Sequence, residues 1–383
     1  MTEKPHSIER WLTELGNPSA DRDYKPGHER VRQLLSHIHN HQPGLRIRIA
    51  GTNGKGSTST MLAAALQSCG LKVGLYTSPH ILEFNERIRI NGVPAETEKL
   101  QQSMQRLMPE ALAAGASYFE TATALALEQF ALEKVDVEIL EAGVGARLDA
   151  TTAIPADMAL ITPIGLDHQA WLGDSIVAIA EEKSFVMQGC RFSITAQQSP
   201  EVSRVLDTFK PQLVTANTMN WPYLAVAGEH QHINASLAYA AVKTLRQAGL
   251  ISCDLNKAKA AIADCKVPGR LEKINIGQAS VWLDAAHNRH AIEAILPSLA
   301  SLADPFDAIL VFTREDRSLA DEIALLEPYG KQVIYKSGAA GEGQSISLLH
   351  QQLAAQPNGS FLLLGSFITV AEILLDLAQR QTR

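Results

Sequence analysis

Short apolar runs alternate with stretches in which apolar residues recur every three or four positions, almost throughout the chain. Buried strands taking turns with amphipathic helices predict an α/β architecture with mostly parallel sheets. In the first part, strands are expected at 45–50, 72–76, 135–140, 158–161 and 191–195. Helices are expected at 97–114, 120–133, 175–187 and 200–209, with another from the first strand's end to about Cys69 and Gly70. The pattern loosens over 210–228, where Pro211 and Pro222 interrupt it and no period holds. A long helix at 234–248 follows, then strands at 281–284, 308–312, 332–335 and 361–364 with helices between. Residues 338–343 carry three glycines and read as a loop. These features place a boundary near Gly228 and two domains, 1–228 and 229–383, in keeping with a chain too long for one ordinary core.

Between the first strand and its helix lies Gly51-Thr52-Asn53-Gly54-Lys55-Gly56-Ser57-Thr58. Strand, glycine-rich turn, lysine, hydroxyl residue and helix form the layout of a phosphate-binding loop. Amides of the turn and of the helix N-terminus cradle an anion. Lys55 can reach the outer phosphates of a nucleotide, and Ser57 or Thr58 can hold Mg²⁺. The commonest pattern of this kind is not matched: Ile49 stands where its first glycine would be, and Gly56 where a hydroxyl would follow the lysine. A turn without a ligand has no use for the lysine. The expected fold is therefore a phosphate-loop ATPase-type parallel-sheet domain followed by a smaller Rossmann-like α/β domain.

Ligands of open α/β sheets bind outside the carboxyl ends of strands, and polar clusters sit at several such ends. Thr77-Ser78-Pro79-His80 follows the second strand and runs on into Glu83 to Arg89. Glu141 ends the apolar run 135–140, where a buried carboxylate needs a partner such as Mg²⁺. Asp167-His168 follows the strand at 158–161. A lone histidine or a strand-end acid is often only structural, and the residues alone leave that open. Lys183 falls on the apolar stripe of Ile176, Ile179, Ala180, Val186 and Met187. It is either a snorkelling lysine or a buried one with a partner or a changed charge. In the second part, Pro268-Gly269-Arg270 is a turn carrying a guanidinium, and Asp284-Ala285-Ala286-His287-Asn288 follows a strand.

Taken together, the loop, the Ser-Pro-His segment, Glu141 to Thr151, Leu166-Asp167-His168, Glu182-Lys183, Pro268-Gly269-Arg270, Asp284 to Asn288 and Gly365-Ser366-Phe367 resemble the folylpolyglutamate synthase/dihydrofolate synthase family of the Mur ligase superfamily. The resemblance covers essentially the whole chain. It implies ATP-dependent ligation of L-glutamate to a pteroate or folate carboxylate through an acyl phosphate. It implies Thr52 to Thr58, Asn234, Arg270 and Asp284 at the nucleotide. Ser57, Ser78, Glu141, His168 and a carbamylated Lys183 would hold one or two Mg²⁺ ions. Lys55, Lys183, Asp284 and His287 would be catalytic. Phe119, Arg147, Asp149 and Ala150 would contact the pterin acid, with His287 and Ser366 at the glutamate. Departures are Ala146 for glycine, Thr152 for asparagine, Arg289 for proline, and Phe312 to Ser318 for a glycine-led segment. They keep open a Mur-type amino-acid ligase acting on a non-folate acid. A regulatory protein without ligase activity would not need the set Lys55, Glu141, His168 and Lys183.

The bulk properties narrow the class further. A net charge of −7 and pI near 6.0 argue against nucleic acid as a partner. No apolar run is long enough for a membrane span, and residues 1–11 lack a signal-peptide pattern. Cys69, Cys190, Cys253 and Cys265 are scattered without a C-x-x-C pair, which suggests reduced thiols in a cytoplasmic protein. The partners expected are small molecules, and the chain is expected to be a monomer.

Overall fold

The computed structural model describes residues 8–15, 27–210, 212–303 and 305–381. Residues 1–7, part of the segment read for a signal peptide, and Pro211 lie outside them. The chain divides into two compact units. One comprises Met1–Trp221 and Ile233–Cys265, the other Pro222–His232 and Lys266–Arg383. No helix among the described residues is long and apolar enough to cross a membrane.

The first unit runs α1 Ile8–Glu14, α2 Glu29–Leu35, β1 Leu45–Ala50, α3 Lys55–Ser68, β2 Val73–Tyr76, β3 Ile88–Ile90, β4 Val93–Pro94, α4 Thr97–Ala114 and α5 Tyr118–Glu133. It continues with β5 Val137–Glu141, β6 Met158–Ile161, α6 Gln169–Leu172, α7 Ile176–Ser184, β7 Phe192–Thr195, α8 Pro200–Phe209, β8 Val214–Thr215, α9 His230–Gln247 and α10 Leu255–Ala263. The eight strands form one sheet in the order β4-β3-β2-β5-β1-β6-β7-β8. β2, β5, β1, β6, β7 and β8 are parallel, and β3 and β4 add an antiparallel edge. β1 is central, and Ile47, Ile49 and Ala50 are fully buried, as a strand covered on both faces requires. α1, α4 and α5 supply one apolar cluster with Tyr76, Phe84 and Leu140; α7 and α8 supply another with Ala50, Ala159 and Ile161.

The second unit holds β9 Glu272–Ile276, β10 Ala279–Leu283, α11 Arg289–Leu302, β11 Ala308–Phe312, α12 Ile323–Leu326, β12 Val333–Lys336, α13 Gln344–Ala355, β13 Ser360–Leu364 and α14 Phe367–Gln381. Its sheet order is β12-β11-β13-β10-β9, parallel except for β9. Trp282, Phe306, Ile309, Val311 and Leu362 lie in its core.

Three expectations are corrected. The boundary near Gly228 assigns 233–265 to the second domain, whereas this segment belongs with the first unit. The reason is packing: α10 lies along α3, and Ser236 Oγ accepts from Met219 N (2.8 Å) and Trp221 Nε1 (3.1 Å). Four reduced thiols were expected, yet Cys69 and Cys253 form a disulfide, with Cys190 and Cys265 free and buried. Side-by-side packing of α3 and α10 brings together cysteines 184 residues apart, which no spacing rule reveals. The helix expected at 175–187 stops at Ser184 and ends in a 3₁₀ turn, Phe185–Met187.

Candidate active site

The phosphate loop leaves the end of β1 and enters α3. Gly51 and Gly54 have φ of +145° and +88°. A Cβ on Gly51 would lie 2.0 Å from Thr162 Oγ1, and one on Gly54 2.2 Å from Asn234 Oδ1, so both positions demand glycine. Asn234 also accepts from Thr58 Oγ1 at 3.4 Å, which fixes α9 against the loop. Thr52 is used inside the protein: its hydroxyl donates to Gly165 O (2.9 Å) and accepts from Gly165 N (3.0 Å). The amides of Thr52 and Asn53 donate to Pro163 O. The anion-facing donors are therefore expected from the helix start, at Gly54 to Ser57, where helical amides lack intrahelical partners. Lys55 Nζ is folded over the loop and donates to Gly51 O (3.2 Å) and Thr52 O (3.1 Å).

Glu141, at the tip of β5, is buried and comes up to this loop. Its Oε2 accepts from Ser78 N at 3.2 Å and would lie 3.5 Å from a Cβ on Gly56. Ser57 Oγ, beside Gly56 in the chain, is buried without a hydrogen-bond partner. An orphaned hydroxyl, a buried carboxylate and the Ser78 segment meeting at one helix start suit a hard cation with oxygen ligands. Among the described residues no three His, Cys, Asp or Glu side chains stand together as a metal cluster. Ser57, Ser78 and Glu141 are the residues of this corner that would hold such an ion.

Lys183 is buried on α7, and its Nζ donates to Gly51 O at 2.9 Å. Lys55 and Lys183 thus share one carbonyl. Burial, and then the nearby Lys55 charge, bring the Lys183 ammonium down to about 7. Of the two sequence readings, the buried one is right. His168 caps α6 in a left-handed conformation, φ 52°, with its Nε2 3.8 Å from Asp167 Oδ2.

The segment 143–152 forms the next wall. Asp149 is buried and accepts from Gly143 N (2.9 Å), Val144 N (3.2 Å), Thr151 N (2.9 Å) and Thr151 Oγ1 (2.6 Å). Burial pushes its carboxyl pKa up against the pull of these donors. The carboxylate shapes the loop from inside. Phe119 packs on Gly143, where a Cβ would come within 2.8 Å of the ring. Ala150 is buried beside Val31 and Ala153. Arg147 pairs with Glu182 at 3.1 Å and stacks over Phe185 at 4.3 Å. Phe185 thereby has a contact that the sequence could not reveal.

In the second unit, buried Asp284 accepts from Leu271 N (2.8 Å) and Ala286 N (2.7 Å), tying the Arg270 turn to the end of β10. Burial raises its pKa, opposed by Arg270. Arg270 stacks on Phe367 at 4.8 Å, and the His287 ring centroid lies 6.0 Å from the same ring. His287 Nδ1 is 2.8 Å from Ala285 O, the geometry of an N–H donating to a carbonyl, which would leave Nε2 to accept. Ser366 Oγ accepts from Ile368 N at 3.1 Å as α14 begins. Arg270, His287, Ser366 and Phe367 are thus close neighbours at the strand ends.

Fold and site together define a two-unit α/β enzyme built on a phosphate loop. No protein-family model matches the chain. It is 29% identical to the dihydrofolate synthase/folylpolyglutamate synthase of Bacillus subtilis (strain 168) over 350 residues, 82% of this chain and 81% of that one. The Escherichia coli (strain K12) enzyme of the same name is 29% identical over 410 residues, 97% of this chain and 96% of its own. The structure of E. coli FolC in complex with DHPP and ADP superposes with a TM-score of 0.83 at 26% identity, covering 98% of this chain and 99% of that one. Over most of its length the chain is thus similar to dihydrofolate synthase/folylpolyglutamate synthases, in sequence and in fold.

Proposed function

We propose that the protein joins L-glutamate to the carboxylate of a pteroate or folate by an ATP-dependent amide ligation. A carboxylate is a poor electrophile at neutral pH. Transfer of the γ-phosphoryl group to it makes an acyl phosphate and ADP. The glutamate amine then attacks the acyl carbon, the carbon–oxygen bond to phosphate breaks, and inorganic phosphate leaves with the electron pair. Little of this is covalent work for the protein, which positions the reactants and balances charge.

Lys55 exchanges its two loop carbonyls for phosphate oxygens. Ser57, Ser78 and Glu141 would hold Mg²⁺, with His168 and a carbamylated Lys183 able to serve a second ion. A divalent ion held by these residues would supply neutralisation of phosphate charge and polarisation of phosphate oxygens. Phe119, Arg147 and Ala150 contact the acid, and Asp149 sets their loop. Arg270 and Asp284 serve the nucleotide, His287 the acyl phosphate and the amine, and Ser366 the glutamate. We further propose a cytoplasmic monomer acting on small molecules, with no nucleic acid or membrane partner.

The observation that carries this reading is the meeting of Ser78 and Glu141 at the start of α3, beside the orphaned Ser57 hydroxyl. A relative similar over nearly its full length is described in complex with ADP, which supports ATP use. A second reading, ligation to a non-folate acid, draws on one fact: Ala146 and Thr152, both departures from the family pattern, touch each other. The proposal is tested by Lys55→Ala. Turnover, read as ADP release that needs acid and glutamate together, should fall by about 100-fold or more with the melting temperature kept. ADP release at the parent rate would reject the loop's role.

A further inference from the structure

The loop 143–152 is held by a segment far upstream. Gly27 N donates to Leu148 O (3.5 Å), Arg32 Nε donates to Ala153 O (3.4 Å), and Val31 packs on Ala150 and Ala153. Between these contacts, His28 Nε2 lies 3.2 Å from Thr152 Oγ1, across 124 residues of sequence. The same hydroxyl is 2.5 Å from Ala146 O and 2.7 Å from Asp149 O. A threonine hydroxyl carries one proton and two acceptor lone pairs. Its proton goes to a carbonyl, so His28 must donate from Nε2. Partial burial and the adjacent Arg32 lower the His28 pKa. From below, Arg48 Nη1 on β1 donates to Thr152 O and Ile154 O, both at 3.4 Å. Thr152 is therefore the node at which the loop's two ends, α2's entry and the central strand meet.

We propose that Thr152 and His28 form a specificity-determining positioning pair. The hydroxyl gives its one proton to the Ala146 or the Asp149 carbonyl and accepts from His28, and so holds the backbone that the acid substrate rests on. This deepens the ligase reading and rests on it. Asparagine, the usual residue of the family pattern here, would carry its amide one atom further from the backbone than the hydroxyl, so the groups it meets would sit at different distances.

The test compares wild type with Thr152→Val, Thr152→Ser, Thr152→Asn and His28→Ala, using dihydropteroate and tetrahydrofolate with ATP and L-glutamate. Thr152→Val keeps shape and loses the hydroxyl. It should raise the KM for the acid by about fivefold or more while the KM for ATP stays within about twofold. Thr152→Ser should return to within about twofold of wild type, and Thr152→Asn should shift the ratio of kcat/KM between the two acids. His28→Ala should match Thr152→Val, and the double variant should lose nothing more. An unchanged acid KM, or parallel losses in ATP KM and melting temperature, would overturn the pair. A wild type that uses neither acid rejects the ligase reading instead. Amide hydrogen exchange then decides on the pair: Thr152→Val should speed exchange across 143–152 alone, and unchanged protection there would overturn it.

Discussion

Lys55 and Lys183 donate to one carbonyl, that of Gly51. Burial, and after it the neighbouring Lys55 charge, raise the cost of charging Lys183, whose pKa is lowered to about 7. Around neutral pH a large share of its amine is therefore uncharged, the form that takes up CO₂ to give a carbamate and a proton. The proposed conversion would turn that neutral amine into an anion beside the phosphate loop. Activity should fall in CO₂-depleted buffer, return with bicarbonate, and rise with pH through about 7. Lys183→Ala should be inactive and partly rescued by short carboxylates. Indifference to CO₂, together with an unmodified lysine by mass spectrometry, would remove the carbamate. At this scale the sequence showed which residues gather at strand ends but not what occupies them. Asp149 and Asp284 stood out as acids, yet both spend their oxygens on backbone amides. Only coordinates reveal that, because the donors come from turns whose shape the carboxylates themselves impose.

At the scale of elements, hydrophobic period located most strands and helices, and the helices at 97–114 and 200–209 fall where expected. Strands β3, β4, β8 and β9, at the sheet edges or next to them, escaped. They are short or half-exposed, so their side chains leave no apolar run. Helix starts were displaced where a cap overrides period: α5 begins at Tyr118 because Ser117 and Glu120 form a capping box. The α3–α10 pairing was invisible for another reason, since contacts between distant segments have no local signature. Its disulfide closes a loop of 184 residues. Cross-links over long loops commonly contribute about 2–5 kcal/mol, chiefly by restricting the unfolded chain. Reduction should therefore lower the melting temperature by roughly 5–15 °C, and Cys253→Ser should abolish that response. Equal melting curves with and without reductant in wild type would show that the cysteines are not joined in solution.

For the whole molecule, the two units share a plan: a mainly parallel sheet with polar groups gathered at strand ends. The division of labour proposed for them, nucleotide phosphates and acid on the first, amino acid on the second together with Arg270 and Asp284 for the nucleotide, follows from which unit carries the phosphate loop and which carries His287 and Ser366. The boundary was misread near Gly228 because loosened periodicity marks a change of local order, whereas unit membership is decided by packing. The fold class and the phosphate loop could be read from sequence. The Thr152 node, the Gly51 carbonyl shared by two lysines and the role of 233–265 could not.

The central claim is amide ligation. Purified protein with ATP, Mg²⁺ and L-glutamate, offered dihydropteroate and tetrahydrofolate in separate tubes and read by mass spectrometry, tests it most directly. The account predicts a product one glutamyl residue heavier from at least one of the two acids, formed only when ATP is present. Protein that binds ATP yet adds glutamate to neither acid would contradict it.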